Sequence, residues 1–362
     1  MSKGKVLVGM SGGVDSSVAA ALLQKNGNDV IGAILQLAPE AQAHEDAFRV
    51  AEKLGIPCNV YDYRDKFKAT ILDYFIGEYQ KGRTPNPCVL CNRFIKFELL
   101  MQLAESKGLE FIATGHYARI EYSEENGRYL LKKSAFTRKD QTYALYRLTQ
   151  QQLSRTLFPL GQYDKKTVRE LASQFGLPVA DKPDSQEICF VIDNDYAGFI
   201  ERNTEEEIKS GNFIDSNGRI LGRHRGIPFY TVGQRKGLGL AFGKPMFVKQ
   251  INAAENSVVL GENDELAASG LVAGNLSFIL FEKLTGRLRV NAKIRYSAKE
   301  TEAEIMPYRE DKVKVTFDEP VRAVTPGQSV VFYQGDTVLG GGIIEYSIQQ
   351  PVKNGTDVGV EE

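Results

Sequence analysis

A short apolar strand, "KVLVGM" (Lys5–Met10), runs directly into "GMSGGVDSS" (Gly9–Ser17) and then into the helical stretch "SSVAAALLQKNG" (Ser16–Gly27). Strand, glycine-rich turn, helix is the arrangement that most restricts what this chain can fold into. The glycines let the backbone wrap close to an anion, and their N–H groups, with the helix N-terminus, form a phosphate cradle. The usual ATPase loop reads GxxxxGK[ST] and sets a lysine on the transferred phosphate. Here there is no lysine, and Asp15 and Ser16 follow the glycines instead. A lone glycine pair could be a turn with no ligand at all, but the full SGGVDS string behind an N-terminal strand is far more specific.

The rest of the first half keeps the same rhythm. "DVIGAILQL" reads as a second strand, His44–Gly55 as a second helix, "PCNVYDY" as a third strand and "KATILDYFIGEYQ" as an amphipathic helix. A loop with two cysteines follows, then a helix in "IKFELLMQLAESKG", a buried-type strand in "EFIATG" and a closing helix at Lys165–Gly176. Alternating strands and helices predict an α/β fold, a Rossmann-like parallel sheet with helices on both faces.

After about residue 205 the texture changes to glycine-rich turns and short alternating strands, which predict a small sandwich or barrel. A length of 362 residues also exceeds one ordinary core. The expected division is a nucleotide-binding catalytic domain over 1–204, a small basic central domain over 205–268, an antiparallel β-barrel over 269–350 and a disordered tail over 351–362. No window approaches the apolar length of a membrane span. With no signal peptide and only four cysteines, the sequence points to the reducing cytosol.

The net charge of −1 gives no global hint of a polyanion partner, but its distribution does. Between Lys209 and Gln250 eight lysines and arginines, Arg235 and Lys236 among them, face the single acid Asp215. Acidic runs at 205–207 and 262–265 flank them. Such a patch suits a nucleic-acid backbone, although a solvated hairpin surface reads the same way. Arg83, Arg93 and Lys96 extend the positive character to "RTPNPCVLCNRFIKF" (Arg83–Phe97), where cations would lower a thiol's pKa. The Cys88–Cys91 spacing alone leaves a disulfide, half a metal site, a redox pair or one reactive thiol open. His116 and Gly115, in "TGHYAR", end a sheet strand and could reach a ligand, though a lone histidine there is ordinarily structural. Cys189, among isoleucine, phenylalanine and valine, reads as a buried hydrophobe, as does Cys58 on its strand.

"GMSGGVDSS", "TPNPCVLCNRFIKF", "ATGHYAR", "KDQTYAL", "FPLGQY", "KPDSQEICFV" and "YTVGQRKGLG" together resemble the bacterial tRNA-specific 2-thiouridylases of the MnmA type, within the pyrophosphate-loop (PP-loop) ATP pyrophosphatases. The resemblance covers the chain from the first strand into the β region. It implies that the 2-oxygen of the wobble uridine is adenylated with ATP and replaced by sulfur, with release of AMP and pyrophosphate. Gly9, Met10, Ser11, Gly12, Gly13, Val14, Asp15, Ser16, Leu35 and Gly115 would bind ATP, with Asp15 helping to hold Mg²⁺. Cys189 would carry a persulfide and Cys91 would attack it, leaving a Cys91–Cys189 disulfide for a reductant to open. Asn86, Pro87 and Cys88 would contact the base, which a single-stranded loop can present cheaply. Lys139, Asp140, Gln141, Arg295 and Tyr296 would contact the tRNA, and Arg235 and Lys236 would position its backbone. A cysteine desulfurase or sulfur relay protein would deliver the sulfur to a monomeric enzyme.

Two departures matter. Many relatives carry aspartate where this chain has Cys88, and the stretch "ILQLAPEAQAHED" lacks the usual aromatic and acidic residues. Cys88 opens a rival mechanism, in which Cys88, Cys91 and Cys189 hold a [4Fe–4S] cluster carrying hydrosulfide on its fourth iron. A PP-loop amidotransferase would share the glycine loop but have no use for the cysteines. A non-catalytic tRNA-binding protein would need the basic patch but not the loop.

Overall fold

The computed structural model describes residues 4–37, 42–183, 188–191, 195–204, 206–241 and 243–349. The expected disordered tail at 351–362, residues 38–41 of the loosely patterned stretch, 184–187 of "KPDSQEICFV" and Glu205 of the acidic flank lie outside these residues.

The first strand, β1 (Lys5–Gly9), leads into helix α1 (Val14–Lys25), which is buried from Val14 to Leu23 except for half-exposed Asp15. Next come β2 (Asp29–Gln36), α2 (Gln42–Leu54) and β3 (Cys58–Asp62). A rod built of Arg64–Phe67, Lys68–Leu72 and Asp73–Gln80 then crosses over to the cysteines. After β4 (Phe111–Ala113) the chain makes a hairpin, β5 (Ala118–Ser123) and β6 (Arg128–Lys133), before β7 (Thr156–Leu157). The five-stranded sheet has the order β3-β2-β1-β4-β7 and is parallel throughout. The chain steps outward from β1 to β3 and then returns to the other side of β1 as β4. That reversal opens a crevice at the carboxyl ends of β1 and β4, where ligands bind in sheets of this kind.

One sequence expectation needs correction, and one element has no sequence reading at all. The cysteine segment is the first part of a helix, Pro87–Leu90, Cys91–Lys96 and Phe97–Ser106, rather than a loop. Asn86 caps it by accepting a hydrogen bond from the Cys88 N–H at 3.2 Å, and Pro87 fills the first position, where no N–H is needed. Its middle segment has the wide hydrogen bonding of a π-helix, a feature frequent at functional sites. The unread element is the β5–β6 hairpin, which leaves the parallel sheet and joins the C-terminal β-sheet through Lys132 opposite Thr337.

Past the helix Tyr196–Asn203, the central sheet comprises β8 (Gly211–Ile214), β9 (Ile220–His224), β10 (Phe247–Asn252) and β11 (Ser257–Gly261). The C-terminal strands are β12 (Ala267–Phe278), β13 (Leu288–Lys293), β14 (Thr301–Tyr308), β15 (Lys312–Arg322), β16 (Ser329–Gln334) and β17 (Thr337–Gln349). They follow the order β12-β15-β14-β13-β16-β17, and β17 pairs back onto β12 to close an antiparallel six-stranded barrel. Alternating residues such as Val313, Val315 and Phe317 fill its interior. Phe97, Leu100, Tyr143 and Tyr146 share one core with Val331, Tyr333 and Val338 of the barrel, so barrel and cysteine helix pack as a unit.

Candidate active site

The crevice holds a cavity of about 490 Å³ whose lining includes Gly9, Met10, Ser11, Asp15, Ser16, Leu35, Gly115, His116, Lys96 and Cys189. The nucleotide-loop residues and one of the working-thiol candidates therefore face a single space. Gly12, Gly13 and Val14 complete the turn behind this lining. Gly13 is the N-cap of α1 and contributes no side chain, which leaves the first helical N–H groups open to an anion. Ser16 Oγ donates to Gly13 O at 3.2 Å and accepts from the Ser11 N–H at 3.2 Å, folding the loop on itself. Gly115 crosses directly beneath: a Cβ there would stand 2.6 Å from both Asp15 C and Ser16 N. Only glycine lets β4 approach the loop so closely.

Asp15 Oδ1 accepts from the Tyr117 hydroxyl at 2.7 Å and from Lys165 Nζ at 2.8 Å. Lys182 Nζ donates to Gly12 O at 3.0 Å and to Asp46 Oδ2 at 2.6 Å. The loop has no lysine of its own, and two distant lysines bring positive charge to it. Sequence reasoning missed both, because nothing local to "DKKTVREL" or "DKPDSQ" marks them as neighbours of Gly12–Asp15.

Cys189 lines the cavity together with Lys96, whose charge also reaches Cys88 and Cys91. Cys91 is buried, Cys88 and Cys189 are exposed, and all three are free. Cys189 thus departs from the buried position its neighbours suggest. Phe190 packs edge-on against Phe67 and Phe75, and Ile188 and Val191 join the same apolar cluster, so Cys189 is turned the other way, toward the cavity. Cys58 keeps its bland reading: it is half-buried on β3, beneath Gly32, and burial pushes its thiol up to about 11.

Burial pushes the Cys91 thiol up to about 12, while Lys96 pulls it down and the neighbouring Cys189 and Cys88 push it further up. Cys88 keeps an exposed surface, yet the protein groups crowding its sulfur raise its pKa as well, again opposed by Lys96. Lys96 itself is drawn down by burial, but Cys91, Cys189 and Cys88 outweigh that and leave it above the ordinary lysine value. The π segment begins at Cys91 and ends at Lys96, so one wide turn carries both thiol and cation. Two amides hold that turn: from within it, Asn92 Nδ2 donates to Ala144 O at 3.0 Å, and from outside, Gln152 Nε2 donates to Arg93 O at 3.1 Å. His116 Nδ1 is hydrogen-bonded to Thr114 Oγ1 at 2.8 Å, and burial and Lys96 lower its pKa to about 3. Its ring is therefore neutral at the cavity wall.

The expected tRNA contacts divide into two groups. Asn86 and Pro87 lie at the start of the cysteine helix, the latter buried. Asp140 Oδ2 accepts from Thr142 Oγ1 at 2.6 Å, and burial raises its carboxyl pKa. Gln141 Oε1 accepts from the Tyr117 N–H at 2.9 Å, so both side chains are engaged inside the protein. Half-buried Lys139 precedes them. Tyr296, 48% exposed, extends from the end of β13 over Asp140 O, next to half-buried Arg295. Lys293 Nζ lies 5.7 Å from the Tyr296 ring centroid. A cation and an exposed ring near Cys88 offer a base something to stack on. Arg235 and Lys236 are exposed far along the central module. In the same basic stretch Lys244, Lys249 and Arg225 are paired with Glu262, Glu265 and Glu201.

Three family models match the chain: a tRNA methyl transferase HUP domain over residues 4–193, a tRNA methyl transferase PRC-barrel domain over 197–262 and an aminomethyltransferase beta-barrel domain over 268–344. The tRNA-specific 2-thiouridylase MnmA of Acetivibrio thermocellus is 57% identical over 359 residues, covering 95% of this chain and 100% of that one. The protein of the same name from Clostridioides difficile is 54% identical, covering 95% of this chain and 99% of its own. A solved 4-thiouridine synthetase–RNA complex with bound ATP overlays with a TM-score of 0.37 at 22% identity, covering 52% of this chain and 45% of that one. Among the described residues no helix is long and apolar enough to cross a membrane.

Proposed function

The chain belongs to the family of tRNA-specific 2-thiouridylases, sulfurtransferases that use ATP to thiolate tRNA uridine, and from that premise we propose how its residues divide the work. The carrying observation is the single cavity shared by the Ser11–Ser16 loop, Lys96 and Cys189. ATP lies with its phosphates on the loop and the N-terminus of α1, flanked by Lys165 and Lys182. Asp15 keeps 34% of its side chain exposed and lines the cavity, so it is the residue that would hold Mg²⁺, an ion that would draw charge from the departing pyrophosphate.

The 2-oxygen of the wobble uracil attacks the α-phosphorus, pyrophosphate leaves, and a poor leaving group becomes AMP. Cys189, exposed at the cavity, carries a persulfide received from a desulfurase or relay protein. The Cys91 thiolate attacks its inner sulfur, forming the Cys91–Cys189 disulfide and expelling hydrosulfide. Hydrosulfide adds to C2 of the base and AMP departs. Two electrons from a thiol reductant then reopen the disulfide. Lys96 stabilises each anion formed around the three thiols.

The [4Fe–4S] reading fits the arrangement poorly. Among the described residues no three histidine, cysteine, aspartate or glutamate side chains are grouped to hold a metal. The group set among the thiols is a cation, Lys96. Anaerobic purification with iron analysis tests this directly. A colourless, iron-free enzyme that converts uridine to 2-thiouridine from ATP and a persulfide donor supports the thiol route; activity that requires iron overturns it.

A further inference from the structure

The rod that ends at Gln80 and the cysteine helix are joined by a strut, 81–86, held from outside by two modules. Thr84 N–H donates to Pro326 O at 2.9 Å. Gln328 Nε2 donates to Thr84 O at 2.9 Å and approaches Pro85 O at 3.4 Å. Arg83 Nη2 donates to Ile344 O at 3.3 Å, and the Ile344 N–H donates to Gln328 O at 2.8 Å, which closes the ring of contacts. From the central module, Thr231 Oγ1 accepts from Thr84 Oγ1 at 3.3 Å. Gly327 sits against this point with φ +92°, and a Cβ on it would stand 2.8–3.0 Å from Thr84 backbone atoms. The strut is stiff because Pro85 and Pro87 fix their own φ angles and push Thr84 and Asn86 toward extended backbone. Displacement of the Thr84 carbonyl would therefore pass to the Asn86 cap, and so to Cys88 and Cys91, with little loss on the way.

We propose that Gln328 of the barrel is a positioning residue for sulfur transfer, setting the cysteine helix through the Thr84 and Pro85 carbonyls. Gly327 permits the close approach that the bond requires. The proposal rests on the reading of Cys91 as the thiol that opens the persulfide. The barrel, whose Tyr296 stands near Cys88, then aligns the sulfur chemistry mechanically.

The test is Gln328→Met, which keeps the side chain's length and removes its donor. Thiolation kcat is expected to fall about tenfold with the KM for tRNA within about twofold, the scale expected when reacting groups are displaced by a fraction of an ångström. Alkylation by iodoacetamide, mapped by mass spectrometry, should speed severalfold at Cys91 and stay constant at Cys58 in the parallel sheet. Unchanged kcat, or Cys58 and Cys91 unmasked together, overturns the proposal. Gly327→Ala should show the same pattern; if it fails to fold, Gln328→Met decides alone. Full thiolation by Cys91→Ser would instead sink the thiol assignment, and the alkylation comparison would still report whether the clamp sets the helix.

Discussion

Lys165 Nζ stands 2.8 Å from Asp15 Oδ1 across 150 residues of sequence, joining the helix that closes the parallel sheet to the loop that opens it. The carboxylate therefore holds one of the loop's borrowed cations as well as facing the cavity. Asp15→Ala is expected to abolish pyrophosphate release. Lys165→Met should lower it about tenfold to a hundredfold, since a charge-assisted hydrogen bond is worth roughly 1.5–3 kcal/mol. Pyrophosphate assay in the presence of tRNA measures both; wild-type rates in either variant would remove that residue from the activation step.

Cys189→Ser separates the two half-reactions. Pyrophosphate and AMP formation should persist while 2-thiouridine disappears from nucleoside digests. Loss of both together would place Cys189 in adenylation and reverse the assignment.

The Cys91 thiol, with burial pushing it up to about 12, is neutral at pH 7. Its thiolate fraction rises about tenfold per pH unit well below that pKa. Single-turnover sulfur transfer should therefore climb between pH 7 and 9 while pyrophosphate release does not follow it. Lys96→Met should lower the transfer rate at every pH, and Lys96→Arg should recover part of it. A pH-independent transfer rate would show that Cys91 ionisation does not limit the step.

His116 is held at about 3, below its ordinary value of 6.5, by burial and by Lys96. The unfolded chain therefore binds this proton first as the pH falls. The stability that His116 contributes is complete above pH 6.5 and is lost progressively toward pH 3. Urea midpoints should drop across that window, and His116→Phe should flatten the drop. An identical slope in wild type and variant would exclude His116 as the source.

Gly115→Ala places a methyl 2.6 Å from Asp15 C and Ser16 N. Overpacking of this kind costs about 1–3 kcal/mol, and here the displaced atoms belong to the loop. The expected result is a lower thermal midpoint together with a raised KM for ATP; a change in the midpoint alone would place the strain elsewhere.

The parallel sheet was legible because Val6–Val8 and the buried face of α1 leave a continuous apolar record, and the glycine loop marks the turn between them. The barrel was legible from alternation in runs such as Lys312–Arg322. The cysteine helix was misread as a loop although Asn86 and Pro87 are a helix-start signal, because two prolines within three residues masked it. Cys189 was misplaced because it sits in an unbroken apolar run, in which Ile188, Phe190 and Val191 all join one cluster and only tertiary contact turns the cysteine away from it. Lys165 and Lys182 left no comparable trace: a surface-type lysine becomes part of the site only through tertiary contact. The β5–β6 hairpin was missed for a similar reason, its partner strand lying some two hundred residues away.

That hairpin gives the molecule an unusual seam. Lys132 opposite Thr337 extends the barrel sheet with strands encoded well before the barrel itself, and Arg119 meets Asp336 across the same join at 2.7 Å. Exchange of the C-terminal barrel for a relative's as a cassette would cut through this sheet and leave β6 facing a foreign edge. A successful chimaera has to carry residues 118–133 along with the barrel, so the portable unit is discontinuous in the gene.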